Sequence, residues 1–149
     1  MNTYLKNSAF LFLAMTLFTN ASIGFLLPAK GFAEEPADKD AVTSVTEADF
    51  KTVVLQSKVP VLVDFYATWC IPCRLYSKVV DQAAQDYKGK LKVVRVDVDK
   101  NPKLVSAYNV EELPTTQLIK NGSKFKKWVG DLEKADVESN IDKMLKLEK

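Results

Sequence analysis

The chain is 149 residues long, 47% hydrophobic and 27% charged, which is typical of one globular domain and excludes a disordered or fibrous chain. It contains no histidine and only two cysteines, which excludes Ser-His and Cys-His catalytic pairs, histidine-ligated metals and a four-thiolate metal site within one chain. The formal net charge of +2 offers no concentrated basic face, so no nucleic-acid partner is expected.

Residues 1–33 have the layout of a secretory signal peptide. They contain no acidic residue, carry Lys6 near the start, continue through a mostly apolar run between Ala9 and Leu27, and end in Gly31-Phe32-Ala33 with small residues where an export peptidase cleaves. The alternative is an uncleaved N-terminal anchor, because a spanning helix needs about 20 residues. The run is interrupted by polar residues, which weaken that alternative: Thr16, Thr19, Asn20 and Ser22. Both interpretations place the rest of the chain outside the cytoplasm, for example in the periplasm.

A single α/β domain is predicted after this segment. Residues 34–41 are charged and contain Pro36, so they are interpreted as a flexible linker, and residues 42–149 as the domain. Hydrophobic patterning predicts the order βαβαβαββα. The strands are predicted at 42–45, 61–67, 91–98, 115–120 and 124–129. The helices are predicted at 46–56, from the cysteine pair to 87, at 101–108 and at 132–147.

Four local patterns support these elements. Thr46 and Asp49 resemble a capping box that opens the first helix. The apolar, β-branched run at 61–67 is typical of a strand that is buried on both faces. Asn101-Pro102 places a capping residue and a first-turn proline at the start of a helix, and Asn121-Gly122 indicates a hairpin turn.

Cys70 and Cys73 lie three residues apart where a helix follows a buried strand. A helix N-terminus carries partial positive charge and unpaired N–H groups, so it stabilises a thiolate and lowers its pKa. The spacing lets the second thiol attack a mixed disulfide formed by the first, and Pro72 fits the first helical turn. The pattern therefore favours thiol-disulfide exchange. Three alternatives remain open: a structural disulfide, a metal site shared between two chains, and an inert pair of buried thiols.

The segment from Val61 to Arg74, VLVDFYATWCIPCR, is similar to the active-site strand and helix start of thioredoxins. The similarity extends over about residues 42–147. Further motifs fall where the family has them: Asn101-Pro102, Leu113-Pro114-Thr115, Lys120-Asn121-Gly122 and Val129-Gly130. The resemblance implies the thioredoxin fold, a central mixed β-sheet flanked by helices. It also implies a dithiol-disulfide oxidoreductase activity that uses the cysteine pair, with no metal and no cofactor.

The resemblance also implies three catalytic residues. Cys70 matches the family's exposed nucleophile and Cys73 its buried resolving thiol. Asp64 matches the buried acid behind the pair, and the apolar residues on either side of it favour burial. Because burial raises the pKa of a carboxyl group, Asp64 is expected to take the proton from Cys73 as that thiol attacks.

A substrate-binding surface is implied around the cysteines. Pro114 matches the family's cis-proline, although X-Pro bonds in general are cis only about 5% of the time. Leu113 would then offer its backbone to an extended substrate chain. The other residues of this surface are Trp69, Ile71, Pro72 and Gly130, with Tyr66 as a further candidate. Two residues have an alternative interpretation: Trp69 as core packing, and Arg95, which aligns where the family often has a lysine near the acid, as a solvated charge.

The function expected from these features is the reduction of disulfides in exported proteins by a monomeric enzyme. A membrane electron-relay protein would regenerate the dithiol, and apocytochromes awaiting haem attachment are among the expected substrates. Ile71 stands where cytosolic thioredoxins usually have Gly, which makes the loop between the cysteines bulkier. Neither residue between the cysteines is the His of strongly oxidising relatives, and this absence favours reduction. The alternatives are a thiol oxidase or isomerase of the same fold, and a non-catalytic client-binding module.

Overall fold

The computed structural model describes residues 42–146, which form one five-stranded mixed sheet flanked by helices. In chain order the elements are β1 (Val42–Ser44), a π-helical segment (Lys51–Leu55), β2 (Val61–Tyr66), α1 (Ile71–Asp86), β3 (Lys92–Asp97), α2 (Pro102–Ala107), β4 (Thr115–Lys120), β5 (Ser123–Val129) and α3 (Lys134–Lys146). The predicted fold class and element order are confirmed. The predicted signal peptide or anchor and the linker lie outside the described residues.

The strands lie in the order β1-β3-β2-β4-β5. β3 pairs in parallel with β1 and with β2, whereas β4 is antiparallel to both β2 and β5. β2 is therefore in the centre of the sheet, and its last residue is followed directly by the segment that carries the cysteines. Within residues 42–146, no helix combines the length and the apolar character needed to cross a membrane.

Each face of the sheet carries its own apolar core. Because side chains alternate along a strand, Leu62 of β2 packs under α1 and α3, whereas Val63 and Phe65 contribute to the core beneath the π-helical segment and α2. Asp64 lies on the same face as Leu62 and is 1% exposed. The prediction that this strand is buried on both faces is thus confirmed, and it leaves a carboxyl group inside the protein.

The first predicted helix differs from the observed one. The helical segment Lys51–Leu55 is preceded by a turn with an α-type bond from the N–H of Phe50 to the carbonyl of Thr46 at 2.9 Å, and it ends with a π-type bond from the N–H of Gln56 to the carbonyl of Lys51 at 3.0 Å. Asp49 accepts from the N–H of Thr46 at 2.6 Å, which is half of the predicted capping box. The hydroxyl of Thr46 donates to the same carboxylate instead of capping the chain, so the reciprocal half is missing.

Asn101 is at the predicted start of α2 but does not cap it. Its Oδ1 accepts from the N–H of Glu47 at 2.8 Å, and its Nδ2 donates to the carbonyl of Asp97 at 2.8 Å. The carboxylate of Glu47 accepts from the N–H of Lys103 at 2.7 Å, inside the first turn. One free N–H group in the first turn of α2 is therefore hydrogen-bonded by a residue distant in sequence. α3 begins at Lys134, two residues later than predicted.

Candidate active site

Cys70 and Cys73 form a disulfide at the N-terminus of α1, with a Cα–Cα distance of 5.3 Å. Cys70 is the capping residue of the helix, and its Sγ accepts a hydrogen bond from the N–H of Cys73 at 3.2 Å. Pro72 lies in the first turn, where no intrahelical donor is lost. The first sulfur thus lies at the end of the helix where backbone N–H groups stabilise negative charge.

The exposure of Cys70 is lower than expected. The nucleophile was predicted to be exposed, but both cysteines are only 4% exposed. The disulfide packs with Ala67, and Tyr66, Val98 and Leu113 lie against this small cluster. In the oxidised state these neighbours cover Cys70 almost completely, and the residue borders a groove.

That groove, the substrate groove, has a volume of about 660 Å³. It is lined by residues 69–72, residues 110–113, Val98 and Val105. Cys70 lies on it, whereas Cys73 does not. The two sulfurs therefore border different spaces although they are bonded to each other.

Cys73 borders a second cavity of about 290 Å³, which it shares with Asp64. Tyr66, Ser77 and Arg95 also line this cavity. A space of this volume with several polar walls can hold water molecules. Asp64 and Cys73, which the sequence predicts to exchange a proton, are thus brought to one cavity.

Asp64 is held by Arg95 through one carboxylate oxygen. The Nε of Arg95 lies 3.2 Å from Oδ2 of Asp64, while Oδ1 is buried and has no hydrogen-bond partner within residues 42–146. Arg95 also donates through Nη2 to Asp81 and to the carbonyl of Ser77, each at 3.0 Å. The solvated-charge interpretation of Arg95 is therefore wrong, and its proximity to the buried acid is confirmed.

Burial raises the pKa of Asp64 from 3.8 to about 6, against the opposing effect of the Arg95 charge. Desolvation penalises the ionised carboxylate more than the nearby guanidinium stabilises it. A carboxyl group with such a pKa is a competent proton acceptor near neutral pH.

A row of polar residues crosses the sheet at the level of Asp64. Arg95 on β3, Thr116 on β4 and Trp128 on β5 follow one another in register with it. Tyr76 of α1 covers this row: its hydroxyl oxygen accepts from Nε1 of Trp128 at 3.0 Å and from Oγ1 of Thr116 at 3.3 Å. The buried acid is thus flanked on one side by a cation and on the other by neutral polar groups.

Trp69 is 66% exposed, which excludes the core-packing alternative. Its indole N–H donates to Oδ2 of Asp99 at 2.9 Å, so the ring is oriented by a carboxylate rather than by packing. Ile71 is 63% exposed and Leu75, in the next turn of α1, is 64% exposed. Large apolar side chains with this exposure beside a reactive pair are typical of a surface that contacts another molecule.

The peptide bond between Leu113 and Pro114 is cis, as the resemblance implied. The N–H of Gly130 donates to the carbonyl of Pro114 at 2.8 Å, and Gly130 has a φ of +86°, which few other residues adopt. Within residues 42–146, no backbone hydrogen bond engages Leu113, so its N–H and carbonyl remain available for pairing with an extended chain.

Several residues of the site were not predicted from sequence. They are Leu75, Asp99, the acidic pair Glu111 and Glu112, and the buried group Tyr76, Thr116 and Trp128. Glu111 and Glu112 directly precede the predicted Leu113-Pro114, so their position beside the site could have been predicted from the sequence. The Tyr76–Trp128 pair joins residues 52 positions apart and carries no local signal.

Comparison with known proteins is consistent with this geometry. A family model described as Thioredoxin matches residues 41–143. The chain is 46% identical to Thioredoxin 1 of Nostoc sp. over 105 residues, which cover 70% of this chain and 98% of that protein. It is 43% identical to the Thioredoxin of Synechocystis sp. with the same coverage. It is also 43% identical to the chloroplastic Thioredoxin M-type of Chlamydomonas reinhardtii, over 68% of this chain and 73% of that protein.

Proposed function

Because the chain belongs to the thioredoxin family, we propose that its thiol-disulfide exchange serves to reduce disulfide bonds in exported proteins. Membership makes it a thioredoxin-like thiol-disulfide oxidoreductase whose only redox group is the dithiol, without a cofactor. The observation that carries the proposal is the position of the Cys70 sulfur, which caps α1 beside the substrate groove. Disulfide-containing proteins are its substrates.

The first step is attack by Cys70. Its thiolate bonds to one sulfur of the client disulfide, the client S–S bond breaks, and the other client sulfur leaves as a thiolate. The N–H of Cys73 and the positive end of α1 stabilise the attacking thiolate. The exposed rings and chains of Trp69 and Ile71, with the free backbone of Leu113, hold the client segment over the groove.

The second step is attack by Cys73 on the mixed disulfide. Asp64, ionised at neutral pH with a pKa of about 6, takes the thiol proton through the cavity that it shares with Cys73. The Cys73 thiolate bonds to Cys70 Sγ, the bond from Cys70 to the client breaks, and the client leaves fully reduced. Two electrons have moved from the dithiol to the client, and Cys70–Cys73 is oxidised.

Export is supported by the sequence of residues 1–33, with its basic start, apolar run and small residues before Glu34. Outside the cytoplasm a membrane electron-relay protein regenerates the dithiol, and exported apocytochromes are among the clients. N-terminal sequencing of the protein recovered from outside the cytoplasm tests cleavage. A start at Glu34 supports a cleaved leader, an intact start with membrane fractionation supports an anchor, and recovery in the cytoplasm alone contradicts the proposal.

Insulin reduction with dithiothreitol tests the activity. Wild type is expected to accelerate insulin precipitation strongly, and Cys70→Ser to remove that acceleration. Equal rates for the two proteins would instead indicate a client-binding module without catalysis.

The direction of the reaction is tested by the reduction potential of Cys70–Cys73. A value close to the about −270 mV of thioredoxin supports a reductase. A value close to the about −120 mV of strongly oxidising relatives would contradict it and indicate a thiol oxidase.

The role of Asp64 is tested by Asp64→Asn. Its mixed disulfide with a client should resolve more slowly than that of wild type at pH 7, because the proton acceptor is lost. An unchanged rate would remove Asp64 from the mechanism.

A further inference from the structure

The substrate groove combines an apolar lining with negative charge. Its ionisable lining residues, apart from Cys70, are Glu111 and Glu112, and both are exposed. A third carboxylate, Asp99, is fixed at this site by its hydrogen bond to the indole of Trp69. The whole chain has a net charge of +2, so the acidity of the groove runs against the overall charge.

Several cations around this end of the protein have partners outside the groove. Lys100 pairs with Asp97 at 3.0 Å and Lys103 with Glu47 at 3.8 Å. Lys124 and Lys127 donate to carbonyl groups at the C-terminal end of α2. Arg74 borders the cavity on the Cys73 side rather than the groove.

No ion pair within residues 42–146 involves Glu111 or Glu112. Their carboxylates are thus free to meet a cationic partner. The backbone beneath them is fixed, because the hydroxyl of Thr115 donates to the carbonyl of Glu112 at 2.7 Å. The backbone at Glu112 is therefore held in place at the edge of the groove.

The acidic pair lies where a client's flanking residues would pass. Glu112 is adjacent to Leu113, whose backbone is free for pairing, and the groove joins this segment to Cys70. An extended chain advances about 3.3 Å per residue, so a client segment paired with Leu113 would place residues near its cysteine beside Glu111 and Glu112.

We propose that the substrate groove selects client segments that carry lysine or arginine next to the reactive cysteine and disfavours segments with acidic residues there. The inference rests on the proposed reductase function and names the chemistry of its clients. Each exposed charge pair contributes little to binding on its own. Replacing basic by acidic residues next to the client cysteine, however, turns attraction by several carboxylates into repulsion.

Single-turnover reduction of three peptides tests this selectivity. Each is a disulfide-linked dimer of one sequence, in which the two residues flanking the cysteine are both Lys, both Gln or both Glu. The reduced full chain is the reductant, and each rate constant is divided by that of dithiothreitol to remove the intrinsic reactivity of the peptide. Wild type is compared with Glu111→Gln/Glu112→Gln, and Glu133→Gln serves as a control for the loss of an exposed carboxylate outside the groove.

Wild type and Glu133→Gln should reduce the Lys peptide about tenfold faster than the Glu peptide at low salt, by charge attraction and repulsion at an exposed site. The ratio should fall below about two in the double variant, and also at 1 M salt, where the Debye length is about 3 Å. Equal Lys-to-Glu rate ratios in wild type and the double variant would overturn the inference. A wild-type ratio near one would also overturn it, and good reduction of the Gln peptide in that case would leave the proposed function intact. Failure to reduce any peptide would contradict both.

Discussion

Arg95 reaches Asp64 through a single oxygen. Its Nε lies 3.2 Å from Oδ2, and the buried Oδ1 has no partner within residues 42–146. A buried carboxyl group with a hydrogen bond to only one of its oxygens is costly to ionise. This cost explains why the pKa of Asp64 rises to about 6 although a guanidinium lies beside it. The same imbalance makes Asp64 an available proton acceptor.

The stability of the oxidised protein should depend on the ionisation of Asp64. Its pKa is about 6 in the folded state against 3.8 without burial, so the folded state binds more protons between these values and loses stability as the pH rises through them. A shift of this size corresponds to roughly 3 kcal/mol, fully lost above about pH 7. Urea unfolding measures the free energy of unfolding of Asp64→Asn and of wild type at each pH. Between pH 4 and pH 7.5 the difference should change in favour of the variant by up to that amount. An equal difference at both pH values would contradict the raised pKa.

Arg95→Gln should raise the pKa of Asp64 further above 6. The substitution removes the charge and the hydrogen bond that favour the carboxylate and leaves the desolvation in place. Carbon chemical shifts of the Asp64 carboxyl group, followed against pH, measure the effect. Arg74→Gln is the control, because Arg74 is exposed and borders the same cavity without an ion pair to Asp64. An Asp64 pKa in Arg95→Gln equal to that in wild type would contradict this prediction.

Tyr76→Phe should lower the free energy of unfolding by about 1–3 kcal/mol, because the N–H of Trp128 is left buried without its acceptor. Tyr87→Phe is the matched control: its hydroxyl donates to Asp142 at 2.8 Å at a more exposed position. The loss there should be smaller, at most about 1 kcal/mol. Urea denaturation measures the free energy of unfolding of both variants. A loss for Tyr76→Phe no larger than that for Tyr87→Phe would contradict the prediction.

Leu75→Gln should slow insulin reduction several-fold and leave the free energy of unfolding within about 0.5 kcal/mol of wild type. The side chain is 64% exposed, so it contributes little to the fold, and it lies one helical turn after Ile71 on the exposed surface beside the cysteines. Phe125→Gln on β5, also exposed, should leave insulin reduction unchanged. Comparable slowing in both variants would remove Leu75 from the client surface.

The sequence was sufficient for the features that depend on local pattern. The apolar run of β2 indicated that Asp64 is buried, and the motifs around Cys70 and Pro114 located the two segments that meet at the groove. Features that depend on the register of the strands could not be predicted from the sequence. Thr116 and Trp128, for example, lie in line with Asp64 only because of how β2, β4 and β5 pair. The low exposure of Cys70 likewise results from tertiary packing.

Asn101 illustrates why capping predictions fail at a site of this kind. Its position at the start of α2 was correct, but its side chain finds partners in Glu47 and Asp97. Glu47 is distant in sequence and Asp97 is the last residue of β3, and a short polar side chain takes whichever donors and acceptors the tertiary structure brings nearest.

Trapping of the mixed disulfide tests most directly whether Cys70 attacks and Cys73 resolves. The reduced Cys73→Ser and Cys70→Ser variants are each mixed with oxidised insulin, and mass spectrometry detects covalent adducts. We expect a stable adduct through Cys70 in Cys73→Ser and little or none in Cys70→Ser, since Cys73 does not border the substrate groove. Adducts of equal yield in both variants, or an adduct through Cys73 alone, would contradict the assigned order of attack.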